Sequence, residues 1–257
     1  MNNFMTLLKK ESTEIIRSKK LLILIIIFAF VAVSSPILAK IIPDLLKNMP
    51  ETPGITFSLQ DPTWRDAIDQ LVKNLAQFGL IVIIFMFAGS VAEEKNKKTL
   101  EMILTKPISR ANFVLAKFIS GALYISVVFL LFQAVFYLYT VSIFTSFSLA
   151  NYAWLSLFLL IWLLVIYALT IFSSAIARSQ LIGAGIAFAI SIVFTTVVGY
   201  ISAISDYSPS FVISNYKDLM ANGSLSPFLP SLYTSLGIII VLVVAAVTLF
   251  SKQEVER

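Results

Sequence analysis

Sixty consecutive residues, 118–177, contain no Asp, Glu, Lys or Arg. A helix crosses the hydrocarbon core of a bilayer with about 20 predominantly apolar residues, so this run holds two crossings and a turn. Four further uncharged runs cover 21–39, 74–92, 179–205 and 219–251. The last opens with Asn222-Gly223, Pro227 and Pro230, which are turn and breaker residues, so its span is expected to start near Ser231. The 60-residue run divides near 145–151, where Ser, Thr and Asn accumulate. These divisions predict six spans, at about 21–42, 71–92, 113–144, 152–177, 181–204 and 231–250. The segments at 22–28 and 238–244 are continuously apolar. Strands of a membrane barrel alternate apolar and polar residues, so helices are predicted.

Composition closes other routes. The chain is 58% hydrophobic and 13% charged, against about 45–50% and about 25% in soluble domains. The mean hydropathy is +0.91. There is no Cys and no His. A thiolate nucleophile, an imidazole base, a disulfide and a His- or Cys-ligated metal are therefore excluded. No catalytic, cofactor or metal residues are predicted, and the net charge of +5 gives no reason to expect a nucleic-acid partner.

Placing the N-terminus inside puts 14 of the 19 Lys and Arg residues in inner segments. The positive-inside rule then favours both termini on the cytoplasmic side, as six spans require. A cleaved signal peptide is a weaker reading of the N-terminus, because the apolar stretch is longer than a usual signal core. Residues 1–20 form a basic amphipathic stretch, with Phe4, Leu7, Leu8 and Ile15 near helical spacing, suited to the membrane interface and its lipid headgroups. No span centre carries a charge. The polar residues within the spans (Gln77, Gln133, Tyr124, Tyr137, Tyr139, Tyr167, Tyr200) are read as helix–helix hydrogen-bonding groups before any substrate path. In the first outer loop, Asp61-Pro62 reads as an N-cap followed by Pro at the first helical position. A short helix is expected near 211–221.

The inner loop between spans two and three runs Glu93-Glu94-Lys95-Asn96-Lys97-Lys98-Thr99-Leu100-Glu101-Met102-Ile103-Leu104-Thr105-Lys106-Pro107-Ile108-Ser109-Arg110. Leu100, Ile103 and Leu104 fall on one helical face, Pro107 stops that helix, and Ser109 is an N-cap for the third span. A plain connection needs no such helix. An apolar stripe with charged flanks suits docking of a cytoplasmic partner.

This loop resembles the first cytoplasmic loop of ABC-2 type transporter permeases. Acidic residues, Thr-Leu-Glu, two apolar residues and Pro-Ile-Ser-Arg occur in that order, and the N-terminal stretch and span order also match. One departure is Lys98, where the family commonly has Gly. The resemblance implies a single all-α transmembrane domain over 1–257, with an N-terminal interfacial helix and a coupling helix between spans 2 and 3. It implies that Glu93, Glu94, Thr99, Leu100, Glu101, Leu104, Pro107 and Arg110 form an ATPase-coupling interface. The chain holds no Gly-x-x-x-x-Gly-Lys-Ser/Thr phosphate loop, so ATP would be bound and hydrolysed by a separate cytoplasmic ABC ATPase. Six spans make a half-permease, which implies a second copy. Gly185 and Ala189 in span five offer close packing for it. The expected role is ATP-driven export of a hydrophobic or amphipathic substrate across the cell membrane. A membrane scaffold without a transport cycle, or an ABC importer permease, are the alternatives.

Overall fold

The computed structural model describes residues 2–47, 61–96, 109–193, 201 and 204–252. Every regular element among them is helical. Helix α1 (Asn2–Arg17) turns through Ser18 and Lys19 into α2 (Lys20–Lys47). The second membrane segment is built from α3 (Trp64–Asn74), a π-helical turn (Leu75–Gly79), α4 (Leu80–Phe87) and α5 (Gly89–Asn96). Then come α6 (Arg110–Ile143), α7 (Leu149–Ile176) and α8 (Gln180–Ile192). Helix α9 (Phe211–Asn222) and α10 (Leu229–Lys252) complete the order.

Five helical stretches are long and apolar enough to span a bilayer, at Lys20–Pro43, Trp64–Lys95, Arg110–Ile143, Leu149–Ile176 and Ser226–Lys252. They match five of the six spans expected from the sequence. The sixth corresponds to α8, of which 13 residues are helical among those described, and residues 194–200 lie outside them. Helix α7 is the hub, packing against α10, α8, α4, α9, α6 and α5. It is the most enclosed of the five, whereas α2 and α10 leave most of their apolar surface open. A long helix apolar all round and enclosed by others is the core of a helical membrane bundle.

Serine starts three of these helices. Ser109, Ser148 and Ser179 each accept from the backbone N–H three residues on, at 3.2, 3.3 and 3.3 Å, ahead of α6, α7 and α8. Such caps satisfy donors that a helix start leaves unpaired. The break in the 60-residue run falls at 144–148 and the short helix is α9, both as expected. Gly223 closes α9 in the left-handed region at φ 64°, as glycine does after a helix end.

Two expectations need correction. The helix after the first outer loop does not start at Asp61-Pro62. It starts at Trp64, because the Thr63 backbone N–H and hydroxyl both donate to the Asp66 carboxylate, at 2.8 and 3.0 Å. The carboxylate three residues on, holding both Thr63 donors, fixes the start more strongly than Pro62 does. Gln77 is not buried between helices of this chain but exposed, on the π-helical turn. Tyr152, passed over in the sequence, is buried instead, and donates to Gln133 Oε1 at 2.9 Å.

At the end of the bundle away from α1, Asp69 accepts from Tyr216 at 2.8 Å and pairs with Lys217 at 2.8 Å. Burial and the neighbouring Asp69 carboxylate hold the Tyr216 phenol well above its ordinary range. It stays a neutral donor that ties α9 to α3.

Candidate functional site

The second membrane segment is interrupted just before the loop that carries the sequence resemblance. In an unbroken helix the Val91 and Ala92 N–H groups would pair with the carbonyls of Phe87 and Ala88. Here both donate to Ser174 Oγ of α7, at 2.9 and 3.1 Å. The Phe85 carbonyl accepts from Gln180 Nε2 at 2.9 Å. Lys95 Nζ donates to the Ala175 carbonyl at 2.7 Å. A side chain on Gly183 would lie 3.1 Å from the Ala88 carbonyl oxygen, so glycine is what lets α8 approach the break. Helix α5 is therefore a short rod, separated from α4 by a break and fastened to the α7–α8 corner.

The far end of α5 carries Glu94, which enters a network of charges that is buried at Lys117 and Glu11 and opens to solvent at Lys10 and Glu14. Lys117 Nζ of α6 pairs with Glu94 Oε1 at 2.7 Å and with Glu11 Oε2 of α1 at 2.9 Å. Lys10 Nζ reaches Glu94 Oε1 and Glu11 Oε1, both at 2.9 Å, and Glu14 Oε2 at 3.2 Å. The Lys117 side chain is 2% exposed and that of Glu11 is 6% exposed. Charges so enclosed persist only when paired. Glu11, Glu14 and Glu94 lie close enough together to attract a cation, but the ammonium groups of Lys10 and Lys117 already hold that place. The Lys117 carbonyl accepts from Tyr167 of α7 at 2.8 Å. Its ammonium also sits 4.9 Å from the centre of the Phe113 ring.

The network sets the titration of α1. Burial opposes ionisation of Glu14, but the ammoniums of Lys117 and Lys10 outweigh it and hold the carboxyl below its ordinary range. Burial likewise opposes the charge on Lys10, and Glu11 and Glu94 overcome it and raise that group. A carboxyl lowered by folding stabilises the docked state fully above its ordinary value of 4.5 and loses that contribution as pH falls through the lowered value. Docking of α1 should thus hold from neutral pH to about 4.5 and weaken only below it. A fluorophore on an introduced Thr13→Cys, in a chain with no other cysteine, would record this in a pH titration.

Of the residues proposed from the sequence, Glu93 and Glu94 lie on the last turns of α5, and Arg110 opens α6. The two helices flank the loop at the α1 end of the bundle. Arg110 does not join the charge network: its Nη1 donates to the Ser251 carbonyl at the end of α10, at 3.3 Å. Thr99, Leu100, Glu101, Leu104 and Pro107 lie outside the described residues. Glu11, Lys117 and Ser174 were not singled out from the sequence. For Glu11 a signal exists. It stands between Leu7 and Ile15 at four-residue spacing, an acid in the middle of the buried stripe of α1. Nothing local marks Lys117 or Ser174, whose partners lie 23 to 106 residues away.

Comparison with known proteins identifies the family. The chain is 26% identical to the uncharacterized transmembrane protein YxlG of Bacillus subtilis (strain 168) over 265 residues, covering 99% of each chain. A family model described as ABC-2 family transporter protein matches residues 5–255. That span takes in α1, the interrupted second segment, the loop and α10 together. Membrane permeases of this family are transport subunits that associate with an ABC ATPase and are not themselves the ATPase. With its apolar spanning helices and its near end-to-end family match, the chain is a multi-pass membrane protein and belongs to the ABC-2 family of transporter permeases.

Proposed function

We propose that this permease is the membrane half of an ATP-driven exporter, coupled to its ATPase through residues 93–110. The observation that carries the reading is the mounting of that loop. Its first root, α5, leaves the backbone ladder of α4 at Val91 and Ala92, is tied by side chains to α7, α6 and α1, and packs on α8. Its second root, the start of α6, is fastened to the end of α10. A push on the loop is thereby delivered to most of the bundle, which a plain connection would not need. The coupling surface comprises Glu93, Glu94, Thr99, Leu100, Glu101, Leu104, Pro107 and Arg110. Leu100 and Leu104 supply an apolar stripe to the ATPase, and the acidic and basic residues fix its register.

In this reading, residues 1–257 form one domain of six spans with both termini in the cytoplasm of a cell-membrane protein. Helix α1 lies along the lipid interface. Two copies pair to enclose the path, and the open space around Gly185 on α8 suits such a contact. ATP closes the ATPase dimer, the loops move, and the two bundles exchange inward for outward access. The aromatic, uncharged interior suits a hydrophobic or amphipathic substrate.

The test is co-purification of the tagged chain in mild detergent with the ABC ATPase encoded beside it, followed by ATPase assay in lipid. The wild-type pair should assemble and hydrolyse ATP. Glu101→Lys, and Leu100→Asp combined with Leu104→Asp, should lower assembly or activity about tenfold or more, since buried anchors dominate such interfaces. Wild-type behaviour of both loop variants, or no associated ATPase, would leave a membrane scaffold as the better reading.

A further inference from the structure

Lys117 is the one side chain among the described residues that bonds to both the interfacial helix α1, at Glu11, and the root of the loop, at Glu94, from the third membrane segment α6. As a staple, the arrangement is a poor choice. Apolar residues of similar size hold helices together at least as well as a buried ion pair, because taking charges out of water offsets their attraction. What buried charges enforce is register, since neither partner tolerates separation from the other in a nonpolar setting.

The register here is shared. Lys117 contacts Glu11 and Glu94 at once, and Lys10 of α1 contacts the same Glu94 oxygen as Lys117. Movement of the loop root that displaces Glu94 bears on α1 chiefly through Lys117 and its enclosed bond to Glu11, because the Lys10 side chain is 38% exposed and can exchange its contact with Glu94 for water. The elbow between α1 and α2 is held in an unfavourable backbone conformation. Lys19 holds φ 62°, a left-handed backbone unfavourable to a residue with a side chain. Such a conformation persists when the surroundings impose it. Ser18 N–H bonds to the Glu14 carbonyl and Ile23 N–H to the Lys19 carbonyl on either side of the elbow.

We propose that Lys117 is a positioning residue of the coupling apparatus, through which movement of the loop root is passed to α1, so that α1 moves with ATP binding instead of resting on the membrane. This rests on the coupling function proposed above. The experiment uses the full chain with its ABC ATPase in lipid, with Thr13→Cys on the exposed face of α1 carrying a spin label. Co-purification and ATP hydrolysis are measured first. With Lys117 intact, ATP and vanadate should shift the mobility of the label. With Lys117→Met, the shift should fall about fivefold or more, the lower end of allosteric coupling, in complexes that still contain the ATPase. If Lys117→Met does not accumulate, the double variant Glu11→Gln/Lys117→Met serves. It removes one charge of each sign and leaves Glu94 paired with Lys10. A static staple would move assembly or melting temperature but not a nucleotide-driven shift. An unchanged shift in the variant, or no shift in a wild-type background that binds ATPase and hydrolyses ATP, overturns the inference. Failure of the wild-type chain to bind an ATPase is a different result: it removes the proposed function, and this inference with it.

Discussion

Gly121→Ala should melt well below the wild-type protein. An added methyl would fall on the Tyr167 hydroxyl and stand 2.5 Å from the ring carbon that bears it. That ring is fully enclosed. It stacks on Phe118 at 5.4 Å between centres and meets Phe87 edge-on at 4.8 Å. Its hydroxyl donates to the Lys117 carbonyl at 2.8 Å. A rigid ring so placed cannot swing aside as the end of a flexible chain could. Overpacking costs about 1–3 kcal/mol, and losing the hydrogen bond adds about 0.5–1.5 kcal/mol. The shift should exceed that of Tyr167→Phe, which removes the hydroxyl and keeps the ring. Thermal unfolding in detergent gives both values, and a Gly121→Ala protein as stable as wild type would show that Tyr167 does not lie against this glycine.

Ser174→Ala should cost at least as much. Its hydroxyl oxygen is the acceptor for two backbone N–H groups, those of Val91 and Ala92, at a site closed to solvent. Stranding a buried donor costs about 1–3 kcal/mol each. The neighbouring residue supplies the control. Ser173 is equally buried, and its hydroxyl makes no hydrogen bond among the described residues. Ser173→Ala should therefore leave the melting temperature unchanged or raise it slightly. Amide exchange should accelerate at Val91 and Ala92 in Ser174→Ala alone. Equal behaviour of the two serine variants would sink the view that α7 clamps the break.

Much of the frame was open to sequence reasoning because the bilayer makes simple demands. A charge inside a span is expensive, so uncharged runs mark spanning segments, and α2, α6, α7 and α10 fall where those runs lie. Backbone donors at a helix start need acceptors, so Ser109 was identifiable as a cap before its bond to Asn112 was seen. Proline and glycine punctuate chains by local sterics, and the end of α9 falls at the Asn222-Gly223 turn signal. The one cap misplaced, Asp61 for Thr63, was lost to a choice between two adjacent local motifs.

The candidate site was legible only in part. The loop at 93–110 stood out by its pattern, and so did the amphipathic N-terminal stretch. That the two meet did not. Lys117 was one of many inner-side basic residues by count, and its role depends on Glu11, 106 positions earlier in the chain. The break after α4 is equally hidden, because a glycine in an apolar run marks no break until Ser174 and Gln180 arrive to receive the freed backbone groups. Hydropathy and charge are properties of each segment against its solvent, so the membrane class and five of the spans could be read from the residues alone, and the family from the resemblance of the inner loop. Pairing of buried charges and capping of a broken helix are properties of segments against one another. They exist only once α1, α5, α6 and α7 have packed, because each needs a partner from a distant segment.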